Sequence, residues 1–369
     1  MTGQILHGLS LSHFRSYKRL DLTFDDRSVV VFGPNGAGKT NLLEAVSLLS
    51  PGRGLRRARA GEMTRNPDNL GWRITARLRV LGQDHDVVTG VDDPGGARKV
   101  SIDDKPASQT ALGRLVRVLW LVPVMDRLWL EGAGERRNFL DRIAMSFAPE
   151  HAEAVLTYEK AMRERNRLLR DQVADPSWFT ALEAQLAQSG EKIIAARQFA
   201  LDRLAAAQMA TDTSFPRADL AILEGEQTAG ITMRADLELA LADGRHRDMA
   251  AGRTLIGPHR AELEATYAAK TIPARQCSTG EQKALLVSLI LANARAIAED
   301  FDAPPILLLD EVAAHLDSDR RAALYDEIVA LHGQAFLSGT GAELFTDLGD
   351  RAVHYAVSET NGITQVTQA

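Results

Sequence analysis

A single cysteine, Cys277, stands in 369 residues. No internal disulfide framework is therefore open to the chain, which suits a reducing compartment. Long apolar runs are missing too. The longest, such as Leu119–Val124 and Ile306–Leu309, are strand-sized, well short of the ~18 residues that read as a membrane span. The first ten residues, MTGQILHGLS, lack the basic stretch and apolar core of a secretory signal. A cytoplasmic protein without a membrane partner is expected. Positive charge is in deficit, with a formal net charge of −6. A histone-like coat is excluded, and any contact with DNA must come from a local basic patch. No second His or Cys stands at ligand spacing from His259, so a His/Cys metal centre is not expected. Internal repeats and low-complexity tracts are also absent.

What is present is a globular composition, 45% apolar and 25% charged, with length for one large domain or two ordinary ones. Residues 5–32 read as two strands ending in Val29-Val30-Val31-Phe32, followed by a Gly-rich loop and a helix from Lys39 to about Leu49. Arg73–Val80, Asp86–Val91 and Lys99–Ile102 read as an antiparallel meander. Leu115–Val122 suits a strand buried on both faces. From His151 the pattern turns helical: Val155, Tyr158, Met162 and Leu169 share one face. After Asp175-Pro176, Phe179, Leu186, Ile193 and Ala200 recur at heptad spacing. This predicts an antiparallel helical hairpin, either two ordinary helices or a short coiled-coil-like arm. Residues 211–250 carry few strong signals. A helix over 280–299, a strand over 306–309, a helix over 318–331 and a strand over 334–338 complete the pattern. The four tryptophans, Trp72, Trp120, Trp129 and Trp178, are expected in the core.

Gly33-Pro34-Asn35-Gly36-Ala37-Gly38-Lys39-Thr40 fulfils G-x-x-x-x-G-K-[ST] between a buried strand and a helix. Such a loop wraps phosphates with backbone N–H groups, in conformations that a Cβ obstructs. The helix behind it presents its positive end to the same anion. Lys39 reaches the β- and γ-phosphates of ATP, and Thr40 ligates Mg²⁺. The apolar strand Ile306–Leu309 ends in Asp310-Glu311. Asp310 is placed to hold the magnesium and Glu311 to act as the catalytic residue on the attacking water.

Cys277-Ser278-Thr279-Gly280-Glu281-Gln282-Lys283 opens a strong helix. Alone it is an ordinary N-cap. Upstream of the acidic strand, however, it resembles the S-x-G-[EQ]-[QR] signature of ABC-type ATPases. There Ser278, Gly280, Glu281 and Gln282 would cover the γ-phosphate held by a second subunit. Ala313-Ala314-His315-Leu316-Asp317 resembles their D-loop, with Asp317 at the dimer interface. About 240 residues separate loop from signature, with a helical insertion, and no coupling helix or Gln loop of a transporter subunit is found. The expected fold is α/β: a P-loop ABC-type ATPase head over residues 1–145 and 250–369, with an antiparallel β subdomain, and an inserted helical lobe over 146–249.

More particular words narrow this. His13-Phe14-Arg15-Ser16-Tyr17, Thr40-Asn41-Leu42-Leu43-Glu44-Ala45, Gly134-Glu135-Arg136-Arg137-Asn138-Phe139-Leu140-Asp141, Arg165-Asn166-Arg167-Leu168-Leu169 and Gly257-Pro258-His259-Arg260 resemble the RecF family of bacterial recombination mediators, in the SMC/Rad50-like branch. The resemblance implies a weak, DNA-stimulated ATPase that dimerises on ATP. It also implies sequence-independent binding to gapped, single-stranded or duplex DNA, and action with RecO and RecR to load RecA in gap repair and the SOS response. It makes Arg15 a candidate ATP-phosphate contact, a strand-end surface charge being the other reading. Three positions depart from the family pattern: Val122-Pro123-Val124-Met125-Asp126 replaces S-P-E-D, Ala261-Glu262 follows G-P-H-R, and Ser338-Gly339-Thr340 stands where a switch His is usual. Arg53, Arg56, Arg57, Arg59 and Arg65 crowd a Gly-containing segment without aromatics. That segment is either a solvated basic loop or a track for a sugar-phosphate backbone, with Arg53, Arg56 and Arg57 as DNA-binding candidates. Arg245, Arg247 and Arg253 form a weaker cluster, and His259 is expected in a structural turn. A head in which ATP gates a protein-docking surface is the alternative function.

Overall fold

The computed structural model describes residues 3–66, 68, 70–225, 228 and 230–369. In chain order, β1 (Gln4–Phe14), β2 (Tyr17–Thr23) and β3 (Ser28–Phe32) lead to α1 (Lys39–Ser47). Residues 5–32 thus hold three strands rather than two. The extra break is a tight hairpin in which Phe14 pairs with Tyr17 and Arg15 takes φ 55°. No Gly or Pro marks it in the sequence. Next come β4 (Trp72–Val80), β5 (Gln83–Val91), β6 (Lys99–Ile102) and β7 (Lys105–Ala107), the expected meander with one more strand. The strand expected over 115–122 is shorter. Ser108 caps α2 (Gln109–Leu115) by accepting from the Ala111 amide, and only β8 (Val118–Leu121) remains extended.

α3 (Ala133–Phe147), α4 (His151–Arg170) and α5 (Ser177–Met209) follow. The weakly signalled stretch after them contains β9 (Ala218–Leu223), α6 (Arg234–Asp243) and α7 (Arg245–Ala251). The chain ends with β10 (Glu262–Tyr267), β11 (Ile272–Pro273), α8 (Thr279–Phe301), β12 (Ile306–Asp310), α9 (Ser318–Ala330), β13 (Ala335–Gly339), β14 (Ala352–Thr360) and β15 (Ile363–Gln368).

Two compact units divide these elements: Met1–Asp126 with Ala210–Pro216 and Ser278–Ala369, and Arg127–Met209 with Arg217–Cys277. The second is wider than the 146–249 expected for a helical lobe. α3 packs on α5 and β10, and β9 pairs with β10, so both flanks join the helices.

The first unit carries an antiparallel sheet of order β2-β1-β4-β5-β6-β7 and a second sheet of order β15-β14-β3-β13-β12-β8. In the second, β14, β3, β13, β12 and β8 run parallel and β15 antiparallel. A shared core of Leu9, Phe14, Val31, Leu42, Trp72 and Leu308 lies among their buried side chains. Parallel strands sandwiched on both faces read as continuous apolar runs, as Ile306–Leu309 does.

In the second unit α4 and α5 form the expected hairpin. Tyr158, Leu169, Phe179, Leu186, Ile193 and Ala200 are all buried. Trp178 is a correction: it is 64% exposed at the start of α5, while Trp72, Trp120 and Trp129 are buried. The hairpin is tied by fully buried Arg165, whose guanidinium donates to Asp248 (2.6 Å), Thr254 (2.9 Å), Glu183 (3.0 Å) and the Leu241 carbonyl (3.0 Å). Arg245 closes on Glu183 from the other side, so it belongs to this staple rather than to a surface cluster. His259 accepts from the Tyr158 hydroxyl at Nδ1 (2.7 Å) and donates from Nε2 to the Thr254 carbonyl (3.0 Å). Burial pushes its pKa down to about 4, so it is neutral and structural at physiological pH. A Cβ at Gly257 (φ 128°) would fall 2.2 Å from the Tyr158 hydroxyl, which is why the G-P-H-R turn begins with glycine.

Candidate nucleotide site and signature helix

The phosphate loop leaves the carboxyl end of β3, where open parallel sheets place their ligands. β13 lies between β3 and β12, with Gly339 beside Phe32 and Ser338 beside Asp310. Three strand ends therefore meet at one level. Pro34, Asn35 and Gly36 form the exposed tip, while Ala37, Gly38 and Lys39 are buried. Lys39 Nζ donates to the carbonyls of Gly33 (2.8 Å) and Pro34 (3.0 Å), curling over the loop it serves. Burial lowers its pKa, with Glu311 and Asp310 opposing the shift.

Thr40 Oγ1 lies 3.1 and 3.0 Å from the two Asp310 oxygens. Ser338 Oγ donates to Asp310 Oδ1 (2.6 Å) and accepts from the Glu311 amide (3.0 Å). Burial raises the Asp310 pKa, and the bonds from Ser338 and Thr40 oppose it. A cation beside this carboxylate would offset its desolvation. Among the described residues no group of three His, Cys, Asp or Glu could hold a metal. An ion at Thr40 and Asp310 must therefore draw its other ligands from phosphate and water, which is how Mg²⁺ is usually held. Glu311 sits at φ 53°, a left-handed backbone that costs an ordinary residue about 1–3 kcal/mol and concentrates at functional sites. The Ser338 hydroxyl bonded to its amide helps to hold that conformation.

Ser338 is the residue that sequence reasoning missed. In the sequence it stands only where a switch histidine is usual. A serine at a strand end signals nothing until that strand is known to neighbour β12.

Ser278 caps α8 in a reciprocal box. Its Oγ accepts from the Glu281 amide (3.4 Å), and its amide donates to Glu281 Oε2 (2.8 Å). Ser278, Thr279 and Gly280 are exposed, while Gln282 and Lys283 are buried. Lys283 pairs with Asp126 at 3.1 Å. A Cβ at Gly280 would meet nothing within 4 Å. Packing within this chain gives no reason for a glycine there, although glycine costs a helix about 1 kcal/mol relative to alanine. Asp317, exposed and just beyond the short helical turn Ala313–His315 that follows Glu311, caps α9 by accepting from the Arg320 amide (2.9 Å).

The arginine candidates divide. Arg15 does not reach freely toward a phosphate: Nε and Nη2 both bond the fully buried Glu44 of α1 at 2.8 Å, and Nη1 bonds the Glu62 carbonyl at 2.7 Å. Arg56 also reaches Glu44 (3.1 Å) and Asn41 (2.6 Å). Arg65 leaves the basic track altogether, buried against Asp68 and the Gly362 carbonyl. Arg53, Arg57 and Arg59 remain exposed on the segment. Glu44 is the carboxylate on which the two arginines converge.

The sequence profile described as RecF/RecN/SMC N terminal domain matches residues 5–364. The DNA replication and repair protein RecF of Rhizobium rhizogenes is 47% identical over 366 residues, covering 97% of each chain. That of Brucella suis biovar 1 is 48% identical, covering 95% of this chain and 94% of the relative. Among solved structures, that of the recombination mediator protein RecF-ATP in the RecFOR pathway aligns with a TM-score of 0.83 at 21% identity, over all of this chain and 99% of the other. A Pyrococcus furiosus Smc head domain aligns at a TM-score of 0.56 and 17% identity, over 99% and 96% of the two chains. The two structural likenesses agree on an SMC-type head fold. With near-complete coverage by relatives close to half identical, the chain belongs to the RecF family.

Proposed function

We propose that the chain is an ATP-dependent DNA-binding protein of recombinational DNA repair and replication. It closes as a dimer on ATP, hydrolyses slowly, and acts with RecO and RecR to load RecA at gaps. The names of its relatives, DNA replication and repair protein RecF, support the process. The observation that carries the ATP switch is the array of Lys39, Thr40, Asp310 and Ser338 at three adjoining strand ends.

Each group has a task in that reading. Lys39 exchanges the Gly33 and Pro34 carbonyls for the β- and γ-phosphates. Thr40 and Asp310 would hold Mg²⁺, which would supply positive charge against the developing charge of the phosphates. Glu311, next along the chain, accepts the proton of the attacking water. Ser278 and Gly280 lie bare at the positive end of a second helix. A γ-phosphate brought by another copy replaces the Glu281 carboxylate as acceptor from Ser278, and Gly280 lets it approach closely. Arg53 and Arg57 follow the DNA backbone without reading bases.

Sedimentation velocity with and without ATP, in the presence of a gapped duplex, tests this. ATP with Mg²⁺ should convert monomer to dimer and carry the dimer onto the DNA, and Lys39→Ala should abolish both shifts. A sedimentation coefficient indifferent to ATP would end the proposal.

A further inference from the structure

The phosphate loop is gripped from behind by hydroxyl groups far from it in sequence. Thr364 Oγ1 on β15 donates to the Ala37 carbonyl (2.9 Å), and the Tyr17 hydroxyl on β2 donates to the Gly38 carbonyl (3.0 Å). Thr364 also lies 2.7 Å from Ser16 Oγ. In both contacts the Thr364 hydroxyl is the donor, so its one proton is shared between the Ala37 carbonyl and Ser16 Oγ. Ser16 in turn accepts from Asn41 Nδ2 (2.8 Å), and Arg56 holds the other face of that amide by donating to Asn41 Oδ1 (2.6 Å). A network of side chains from Arg56 through Asn41 and Ser16 thus backs Thr364 where it meets Ala37.

We propose that Thr364 and Tyr17 are positioning residues for nucleotide binding, which aim the Gly38 and Lys39 amides at the phosphates by holding the carbonyls of the same peptide planes. In a planar trans peptide the C=O and N–H point in opposite directions. Drawing the Ala37 oxygen toward Thr364 turns the Gly38 N–H away from β15. Drawing the Gly38 oxygen toward Tyr17 does the same for the Lys39 N–H. Both amides belong to the loop whose N–H groups cradle phosphate. Tyr17 and Thr364 are 0% and 3% exposed, so water does not compete for these bonds. Burial raises the Tyr17 pKa, which keeps the phenol a donor. The grip is close: a Cβ at Gly38 (φ 110°) would fall 2.7 Å from Thr364 Oγ1 and 2.9 Å from Ser16 Oγ. The last glycine of the loop is therefore required by the clamp as well as by its backbone.

This rests on the ATP-binding reading above. Thr364→Val keeps shape and removes the hydroxyl, Thr364→Ser keeps the hydroxyl, and Tyr17→Phe tests the second carbonyl. Nucleotide titration should show Thr364→Val and Tyr17→Phe weakening ATP and ADP alike by about threefold to tenfold, since both nucleotides carry the phosphates that the amides hold. KM should rise by the same factor with kcat nearly unchanged, the melting temperature should move little, and Thr364→Ser should bind as the unaltered chain does. Unaltered affinity in Thr364→Val, a loss confined to ATP, or a Thr364→Ser variant as weak as Thr364→Val would each overturn the clamp. Binding that survives Lys39→Ala would overturn the ATP reading and the clamp together. Thr364→Val at full affinity beside an inactive Lys39→Ala would overturn the clamp alone.

Discussion

Glu311→Gln should lower ATP turnover by about 10²–10⁴-fold, the contribution of a positioned general base, while leaving nucleotide binding intact. Glutamine preserves the size of the side chain but cannot take a proton at pH 7. The backbone features that define the position are unaffected, because the amide still donates to Ser338 and the left-handed φ remains. Lys39, Thr40 and Asp310 keep their contacts, so ATP and Mg²⁺ should bind as before. A chain that binds but cannot hydrolyse should stay closed, giving a persistent ATP-bound dimer with slowed release from DNA. Steady-state turnover and DNA dissociation rates, measured on one preparation, check both halves. Turnover within about tenfold of the unaltered chain would remove Glu311 from the chemistry. Slowed turnover with unchanged DNA residence would favour a head in which nucleotide only shapes a docking surface.

Arg165→Met should destabilise the helical unit by about 3–5 kcal/mol, the usual cost of removing one partner from a buried ion pair. The methionine fills much of the same space. It leaves Asp248 without its guanidinium and Glu183 with Arg245 alone, in a site where Arg165, Glu183 and Asp248 are each no more than 1% exposed. The Thr254 hydroxyl and Leu241 carbonyl lose their donor as well. Adding Glu183→Gln and Asp248→Asn to Arg165→Met should recover part of the loss, since the stranded charges account for much of it. Urea unfolding followed by circular dichroism measures both variants. A cost below about 1 kcal/mol for Arg165→Met would show that the carboxylates are solvated or otherwise paired, against the geometry described.

The parts of the site readable beforehand are those whose chemistry is written in consecutive residues. The loop from Gly33 to Thr40, the Asp310-Glu311 strand end and the Ser278 cap all lie where a local pattern puts them, because a strand, a turn and a helix start are short-range decisions. The clamp on the loop could not be read in that way. Thr364 and Ala37 are 327 positions apart, and the pairing of β14 with β3 and of β15 with β14, with the bond from the Thr364 amide to the Ser16 carbonyl, brings them together. Ser338 is hidden for the same reason, becoming meaningful only beside Asp310. Arg15 adds a partner that its motif does not show: the buried Glu44 on the neighbouring helix holds its guanidinium. The wider second unit has a similar cause: β9 and β10 are short, half-buried strands, and nothing local ties them to helices that precede them.

The account depends on ATP being shared between two copies of the chain. Lys39→Ala destroys the phosphate loop of its own subunit but leaves Ser278 intact, while Ser278→Arg blocks the signature and leaves the loop intact. Each variant alone should be inactive as an ATPase. Mixed in equal amounts, they should form heterodimers in which one of the two shared sites is whole, restoring about a quarter of the unaltered turnover. A mixture as inactive as its components would mean that loop and signature serve the same subunit, and would contradict the shared site.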